Sequence, residues 1–229
     1  MPDASRVAAF FDVDGTLAAT NIALPYVYLR RRLLPRWRYG PWLAGFLLRI
    51  PYFYCLDQID RSAFNRAFYR QYRGLEAEMA RSLAEPCAAE VYRPALYTGA
   101  RQAVQEHLAR GDQVVIVSGA LDFLLEPLAR LLGATAALGA RLGTSDGRFT
   151  GELQGPPVAA GEKRRLVEEY ATRHGIDLPR SWAYGDSLAD LAMLEVVGRP
   201  VAVNPSSGLR RVALARGWEM RFWRKGPAA

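Results

Sequence analysis

The segment from Phe10 to Leu17, FFDVDGTL, constrains the fold of this chain more than any other part of the sequence. The apolar run Val7 to Phe11 leads into two aspartates, Asp12 and Asp14, which are followed at once by Gly-Thr. A short apolar run of this kind predicts a buried strand of a parallel sheet. Asp12 would then emerge at the carboxyl edge of the sheet, where open α/β sheets bind their ligands. A simple turn after the strand is the alternative, because Asp-Gly is a common turn pair.

Three later segments repeat the pattern of a short apolar strand followed by polar residues. The predicted strands are Gln113 to Val117, which leads into Ser118-Gly119, Trp182 to Tyr184, which leads into Gly185-Asp186, and Pro200 to Val203. The predicted helices between them are Ala100 to Arg110, Leu121 to Leu132 and Glu162 to His174. This alternation predicts an α/β fold with a Rossmann-like, doubly wound parallel sheet. A hairpin turning at Asp146-Gly147 is expected within Leu138 to Leu153.

Residues 18–93 differ from the rest of the chain, because they are rich in aromatic residues and arginine and are predicted to be mostly helical. We therefore expect a helical cap domain at 18–93, inserted after the first strand, and a catalytic core formed by 1–17 and 94–229. Two apolar stripes at helical spacing indicate faces that pack in the core of the cap. The stripes are Leu43, Phe46, Leu47 and Ile50, and Phe64, Ala67, Phe68 and Gln71 to Tyr72.

The first stripe has a second interpretation, as a helix that lies on a bilayer surface. Five arginines precede it, and each could add about 1 kcal/mol of attraction near anionic lipid. They are Arg30, Arg31, Arg32, Arg36 and Arg38. A transmembrane span is not expected, because the apolar segment from Tyr39 to Leu56 is shorter than the ~20 residues that a span needs and contains Arg49.

The charge balance of 30 Lys and Arg against 23 Asp and Glu gives a net charge of +7 and a pI near 9.7. Such an excess favours anionic partners, which include nucleic acid, phosphorylated metabolites and acidic lipid surfaces. The cysteines, Cys55 and Cys87, lack the spacing of a zinc site, and the histidines, His107 and His174, are expected at helix surfaces or caps. No export-signal pattern is visible at the N-terminus, so a cytoplasmic location is expected, with membrane association as an addition.

Candidate functional residues follow the core strands and would meet at one edge of the sheet. They are Asp12 with Asp14, Ser118 with Gly119, Lys163, and Asp186 with Asp190. Carboxylates, a hydroxyl and a cation are the groups that phosphoryl transfer through an aspartyl phosphate requires. A carboxylate attacking a phosphate from ~4 Å would feel about 6 to 8 kcal/mol of repulsion at an effective dielectric of about 20, so a metal ion is needed. The all-oxygen donor set points to Mg²⁺.

Four motifs, FFDVDGTL, VVIVSGA, GEKRRL and YGDSLADLAML, resemble in this order the four motifs of the haloacid dehalogenase (HAD) superfamily. The resemblance covers roughly residues 5–17 and 94–215. It implies a phosphatase in which Asp12 is the nucleophile and Asp14 is the general acid and base. Dehalogenases with this fold lack a second acid at the position of Asp14, which favours phosphate ester hydrolysis.

The same resemblance implies that Ser118 and the backbone of Gly119 bind phosphate and that Lys163 neutralises the aspartyl phosphate. For Ser118 the alternative is a helix N-cap, and for Lys163 it is a solvated position in the charge run GEKRR. The residues implied for Mg²⁺ are Asp12, Asp14 through its carbonyl, Asp186, and Asp190 as support for the metal's waters.

Within the superfamily, the helical insertion and the hairpin before Lys163 resemble subfamily IB, the phosphoserine-phosphatase-like branch. Phosphoserine phosphatases carry a glutamate for the substrate amine nine residues after the nucleophile, whereas this chain has Asn21 there, and Ala189 replaces a usual asparagine. We therefore expect a phospholipid-type or other small phosphomonoester as substrate, with peripheral membrane contact through the cap and no nucleic-acid partner. The alternatives are a soluble phosphometabolite such as phosphoserine, or a non-catalytic lipid-surface or interaction module on the same core.

Overall fold

Six parallel strands form the central sheet of the computed structural model, which describes residues 6–226. The strands of the chain are β1 (Ala8–Phe11), β2 (Gln113–Leu121), β3 (Ala136–Ala140), β4 (Leu142–Ser145), β5 (Arg148–Leu153), β6 (Trp182–Gly185), β7 (Arg199–Val203) and β8 (Glu219–Arg221). The sheet has the order β3-β2-β1-β6-β7-β8, and β4 pairs with β5 in a separate hairpin.

Helices connect these strands and fill the long segment between β1 and β2. They are α1 (Ala23–Leu33), α2 (Arg36–Leu47), α3 (Ile50–Ile59), α4 (Arg61–Tyr69), α5 (Ala77–Ser82), α6 (Ala84–Cys87), α7 (Thr98–Ala109), α8 (Asp122–Leu132), α9 (Gly161–His174), α10 (Leu191–Leu194) and α11 (Ser207–Arg216). A π-helical turn, Ala88–Tyr92, and short 3₁₀ turns complete the helical structure. The alternation of parallel strands with helices confirms the predicted Rossmann-like α/β fold.

Strand β1 lies at the centre of the sheet, between β2 and β6. Its four residues are fully buried, as expected for a strand that is covered on both faces. The register aligns Phe11 with Ile116 on β2 and with Tyr184 on β6. The chain beyond these three residues therefore emerges at the same edge of the sheet.

The predicted strands are confirmed, but β2 is longer than expected and two strands were missed. Strand β2 continues through Ser118-Gly119 to Leu121, with a register shift against β3 between Val117 and Leu121. Strand β3 consists of alanine, leucine and glycine, and β8 has only three residues, two of them charged. Neither sequence has the β-branched character that marks a strand.

The β4–β5 hairpin is confirmed, and it turns where the sequence predicts. Asp146 and Gly147 both have positive φ angles, 50° and 73°, as a two-residue type I′ turn requires. The hairpin packs on the helical segment: the backbone N–H of Gly74 donates to the carbonyl of Phe149 at 2.8 Å. The Phe149 ring also contacts the Tyr72 ring edge to face, with the ring centroids 6.3 Å apart.

Two antiparallel connections join the helical segment to the sheet. The N–H of Ala19 donates to the carbonyl of Ala95 at 2.8 Å, and the N–H of Tyr97 donates to the carbonyl of Leu17 at 3.0 Å. The chain thus leaves and re-enters the sheet region through one antiparallel bridge between Ala18 and Leu96, close to the end of β1.

An aromatic cluster forms the core of the helical segment. Tyr26 on α1 contacts the rings of Phe46, Phe68 and Tyr72 at centroid distances of 4.7 to 5.6 Å. Phe64, Phe68 and Tyr72 are buried, which confirms the second predicted stripe.

The first predicted stripe is wrong as a packing face. Phe46 is buried, but Leu47 is 51% exposed and Ile50 is 46% exposed. Helix α2 turns Trp42 and Phe46 inward instead, and their rings stack with centroids 5.4 Å apart. Among residues 6–226, no helix has both the length and the apolar character that crossing a membrane requires.

His107 does not lie at a surface or cap as the sequence analysis expected. It is 1% exposed on α7, with Nδ1 at 2.8 Å from Asp112 and Nε2 at 2.8 Å from the hydroxyl of Tyr184. Burial lowers the pKa of His107 from its ordinary value. The imidazole therefore acts as a buried hydrogen-bonding group that links α7 to β6.

Candidate active site

All seven candidate residues line one cavity at the carboxyl edge of the sheet. These residues are Asp12, Asp14, Ser118, Gly119, Lys163, Asp186 and Asp190. Asp12 follows β1 directly and is 5% exposed, and its backbone N–H donates to the carbonyl of Tyr184 at 3.0 Å. The nucleophile candidate is therefore held by the central strands of the sheet.

Gly15 allows the loop after β1 to approach the loop after β6. It has a φ angle of +88°, and a Cβ atom at this position would lie 2.4 Å from Oδ2 of Asp186. Both the backbone conformation and the close contact exclude other residues. The Asp-Gly pair is thus a turn, as the alternative interpretation held, and the turn also brings the two acidic loops together.

Lys163 lies in the first turn of α9 and is 3% exposed. Its ammonium contacts Oδ1 of Asp12 at 2.5 Å and Oδ1 of Asp190 at 2.6 Å. The neighbouring Arg165 instead pairs with Glu162 and Glu169 at the surface. Lys163 is therefore the cation of GEKRR that enters the cavity, and the solvated alternative is wrong.

Asp190 uses both of its carboxylate oxygens within the protein. While Oδ1 accepts from Lys163, Oδ2 accepts from the backbone N–H groups of Asp186 and Ser187 at 3.1 and 3.0 Å and from the Ser187 hydroxyl at 3.1 Å. Gly185 makes this loop possible, because a Cβ atom there would lie 2.5 Å from Cβ of Asp190. Asp190 thus fixes the loop that carries Asp186.

The carboxylates of the cavity have strongly altered proton affinities. Burial raises the pKa of Asp12 to about 7, although the Lys163 ammonium acts in the opposite direction. Burial, together with the charges of Asp190 and Asp12, raises the pKa of Asp186 to about 9. For Asp190 burial also acts to raise the pKa, but Lys163 and the hydrogen bonds from Ser187 hold it below its ordinary value.

These carboxylates fit a divalent cation. Asp12, Asp186 and Asp190 each offer an oxygen within 4.8 Å of the others. Three carboxylates face one ammonium group here, so the group keeps an excess of negative charge when all three are ionised. Oxygen donors alone, with excess negative charge, match the preference of Mg²⁺.

Asp14 lies in the same cavity with a different environment. The hydroxyl of Thr20 donates to Oδ1 of Asp14 at 2.6 Å. Burial raises the pKa of Asp14 above its ordinary value, against the effect of this hydrogen bond. A raised pKa favours a carboxyl group that holds a proton and can donate it.

Ser118 and Gly119 lie in the extended part of β2 and line the cavity. Ser118 is 1% exposed, and its hydroxyl accepts from the N–H of Ala120 at 3.1 Å. Helix α8 begins only at Asp122, so Ser118 is not its N-cap and that alternative is wrong. The hydroxyl hydrogen remains available to a ligand in the cavity.

A family model described as haloacid dehalogenase-like hydrolase matches residues 9–195, more than half of the chain. The chain belongs to this family. The match includes four of the six strands of the sheet, the helical segment and the acidic loops, and it confirms the resemblance drawn from the four motifs.

Relatives and structural neighbours of this hydrolase include phosphatases. A protein named phosphoserine phosphatase from Mycobacterium tuberculosis is 36% identical over 222 residues, which cover 95% of this chain and 71% of the relative. A histidinol-phosphatase from Neisseria meningitidis is 30% identical over 234 residues, which cover 92% and 96%. A structure of phosphoserine phosphatase with bound substrate superposes with a TM-score of 0.70 at 20% identity, covering 97% of this chain and 95% of that one, and shows the shared fold. These findings confirm the predicted class, a phosphatase of the HAD family.

Two residues of the hydrolase that reach the cavity from α4 were not predicted from the sequence. Arg61 and Asn65 both line it, and Tyr69, one turn further on, donates from its hydroxyl to the carbonyl of Gly119. The Arg61 guanidinium also contacts Asp57 at 2.6 Å. The i, i+4, i+8 spacing of these three polar residues was a signal, but it lies beside a stronger apolar stripe.

The cavity of the hydrolase is closed in this structure, with a volume of about 30 Å³. Pockets that bury small-molecule ligands typically measure about 300 to 1,000 Å³. The cavity is therefore too small to hold a whole phosphomonoester in this conformation. Arg61 and Asn65 of α4 are among the residues that line it.

Proposed function

We propose that this hydrolase releases phosphate from phosphomonoesters in two steps, through an aspartyl phosphate on Asp12. The observation that carries the proposal is the position of Asp12 against Lys163 in the cavity that Asp14 and Ser118 also line. This places a buried carboxylate, a proton donor and a cation around one small volume, as nucleophilic phosphoryl transfer requires.

In the first step a carboxylate oxygen of Asp12 attacks phosphorus, and the bond from phosphorus to the leaving oxygen breaks. Asp14 donates its proton to that oxygen, a role that its raised pKa supports. In the second step Asp14 takes a proton from water, which attacks phosphorus and releases Asp12. Lys163 offsets the charge of the phosphorylated carboxylate throughout.

Ser118 and Gly119 would hold the phosphate oxygens on the β2 side of the cavity. The buried hydroxyl of Ser118 and the backbone of Gly119 provide donors there. A Cβ atom on Gly119 would lie 3.2 Å from the carbonyl of Val158, so the site has little space for a larger residue. Arg61, from α4, adds a positive charge to the lining of the cavity.

Mg²⁺ is the metal that we propose for the acidic group of the cavity. Asp12, Asp186 and the carbonyl of Asp14 are the proposed ligands. Asp190 has both oxygens occupied by Lys163, Asp186 and Ser187, which supports an indirect role in holding the site. When bound, the ion would offset repulsion between Asp12 and the phosphate.

Residues 18–93 are proposed as the cap domain, with 1–17 and 94–229 as the core. The paired connections at Leu17–Ala19 and Ala95–Tyr97 support boundaries close to these positions. Because the core contacts would bind mainly the phosphoryl group, the cap would select the remainder of the substrate. Its opening would admit that remainder.

The proposed substrate is a phospholipid-type or other small phosphomonoester, hydrolysed in the cytoplasm, with peripheral membrane contact through the cap. A soluble phosphometabolite is the second candidate, which the names of the phosphoserine and histidinol phosphatase relatives favour. The side chain of Asn21 accepts from the N–H groups of Ala23 and Leu24 at 3.0 and 3.2 Å. It thus caps α1, and position 21 offers no carboxylate to a substrate amine.

Release of phosphate from an aryl phosphate, measured with and without Mg²⁺, tests the proposed reaction. We expect turnover that needs the metal and disappears in Asp12→Asn. A panel of phosphorylated lipids, sugars and amino acids would then separate the two substrate classes. No release from any phosphomonoester would favour the alternative of a non-catalytic lipid-surface or interaction module.

A further inference from the structure

Helices α2 and α3 expose an unusual number of apolar side chains. Twelve large hydrophobic side chains are exposed within residues 6–226, and seven of them lie between positions 37 and 59. We call these seven residues the α2–α3 face: Trp37, Leu47, Leu48, Ile50, Tyr52, Tyr54 and Ile59. Leu48 and Ile59 are 84% and 83% exposed. Concentrated exposure of this kind marks a surface that binds something.

The α2–α3 face is the outer side of helices whose inner side is already packed. Phe46 and Phe53 point into the aromatic cluster, with their ring centroids 6.4 Å apart. On the outer side of α2, exposed apolar residues recur at the helical spacing i, i+4, i+7, i+11, from Trp37 through Pro41 and Ala44 to Leu48. The two-residue turn that follows α2, Leu48-Arg49, presents the most exposed leucine at the tip.

The charged residues around the α2–α3 face are also unevenly distributed, with an excess of arginine over acidic residues. Residues 15–56 contain six arginines and no aspartate or glutamate, so every ionised side chain of this segment is positive. The net charge of the whole chain is +7. Arg31, Arg36 and Arg38 are exposed beside the α2–α3 face, and Arg38 stacks on Trp37 at 4.5 Å. Arg32 alone in this segment pairs with a carboxylate, that of Glu90. Asp57 and Asp60 flank Ile59 at the far end of the face, and Asp57 pairs with Arg61. The exposed arginines beside α2 therefore give this end of the face a positive charge that attracts an anionic surface.

We propose that the α2–α3 face docks this hydrolase on an anionic lipid bilayer. Leucine and isoleucine side chains would enter the boundary of the acyl chains, and the arginines would contact lipid phosphates. Trp37, Tyr52 and Tyr54 have the amphipathic rings that lie well at such a boundary. A second copy of the chain fits the same surface poorly, because a two-fold interface would bring its arginines against one another.

Docking through the α2–α3 face would also fix the orientation of the cavity relative to the bilayer. Helix α4 begins two residues after Ile59, and its first residue, Arg61, lines the cavity while pairing with Asp57 of α3. The bilayer contact and the cap side of the cavity therefore belong to consecutive helices. This goes beyond the proposed reaction, because docking requires no chemistry at Asp12.

The test is flotation of the full chain with vesicles of phosphatidylcholine alone and of phosphatidylcholine mixed with phosphatidylglycerol. We expect binding to the mixed vesicles that weakens as salt is raised. Leu48→Asp should weaken binding at least about ten-fold, because a buried leucine is lost and a like charge is added. Arg36→Gln combined with Arg38→Gln should weaken it about 25-fold, from about five-fold for each arginine.

Leu214→Asp is the matched control, since Leu214 is a 61% exposed leucine on α11. It should bind as the unmodified chain does. Asp12→Asn should also float normally, and Leu48→Asp should hydrolyse a soluble aryl phosphate at the normal rate. These two controls separate failure of docking from failure of the proposed reaction.

Three results would overturn the proposal. The first is absence of binding to the anionic vesicles, and the second is equal binding to neutral and anionic vesicles. The third is a dimer in solution, by light scattering, that Leu48→Asp converts to a monomer, because the face would then be an interface between copies.

Discussion

The charged side chains of the cavity at the sheet edge are buried and paired, whereas those beside the α2–α3 face are exposed to solvent. In the cavity, Lys163 lies within 2.6 Å of both Asp12 and Asp190, and all three are almost fully buried. Beside the α2–α3 face, Arg31, Arg36 and Arg38 remain in water. Buried charges need fixed partners within the protein, whereas solvated charges stay available to an external one. The difference separates the residues proposed for the reaction from those proposed to contact the bilayer.

The largest expected effect lies in the cavity. Asp12→Asn should lower kcat for an aryl phosphate at least about 10⁴-fold, because the amide is a poor nucleophile. Asp146→Asn, in the exposed hairpin turn, is the control and should retain normal kcat. Steady-state phosphate release measures both, and a residual rate within ten-fold for Asp12→Asn would remove the nucleophile from the account.

Removal of the buried cation should cost stability, whereas removal of an exposed one on the same helix should not. Lys163→Met should lower the free energy of unfolding by about 3 to 5 kcal/mol, because Asp12 and Asp190 lose their shared partner. Arg165→Met removes an arginine that is 56% exposed and should leave the free energy of unfolding nearly unchanged. Urea denaturation of both variants measures the difference, and equal losses would contradict the distinction between the two charge environments.

The two sides of α2 should also respond differently. Phe46→Ala should lower the free energy of unfolding by about 3 to 5 kcal/mol, because Phe46 fills the aromatic cluster. Leu48→Ala, on the exposed tip, should change it by no more than about 0.5 kcal/mol. A large loss in the free energy of unfolding for Leu48→Ala, measured by thermal or urea unfolding, would contradict this expectation. Leu48 would then pack within the protein, and the α2–α3 face would not be exposed to solvent.

The smallest expected effect is the pH dependence of the metal-free protein between pH 7 and 9. The pKa of Asp186 is about 9 in the folded protein against an ordinary 3.8, so in this range the folded state binds more protons than the unfolded state. The free energy of unfolding should therefore decrease as the pH rises. Mg²⁺ should raise Tm more at pH 9 than at pH 7, by about 2 to 4 °C for each kcal/mol of difference.

Calorimetry in chelator and in Mg²⁺ measures this dependence. The range lies above the ordinary pKa of His107, 6.5, which is lowered further in the fold, so that this imidazole stays neutral throughout. A metal-free stability that rises from pH 7 to 9 would contradict the charge balance of the cavity.

Much of the core could be predicted because its signals are local. The apolar run before Asp12 is long enough to define a buried strand, and the Asp-Gly pair at 146–147 fixes a hairpin turn. Strand β3 gives no such signal, since alanine and glycine pair in the sheet only through context. His107 was misplaced for a related reason: its partner Tyr184 is 77 residues away in the sequence.

The helical segment was harder to predict because α2 and α3 are apolar on both sides. A periodic stripe identifies the inward face only when the opposite face is polar. On α2 the stripe of Leu43 and Leu47 competes with that of Trp42 and Phe46, and the aromatic cluster decides between them. Arg61 and Asn65 were missed since their role depends on how α4 lies across the sheet edge.

Covalent phosphorylation of Asp12 is tested most directly by rapid acid quenching. The quench is applied during turnover of a radiolabelled phosphomonoester with Mg²⁺. The account predicts a labelled protein whose phosphoryl group is released by hydroxylamine, as expected of an acyl phosphate, and maps by mass spectrometry to the peptide containing Asp12. Asp14→Asn should slow both its formation and its hydrolysis. Phosphate release without any labelled protein, or a label on a residue other than Asp12, would contradict the account.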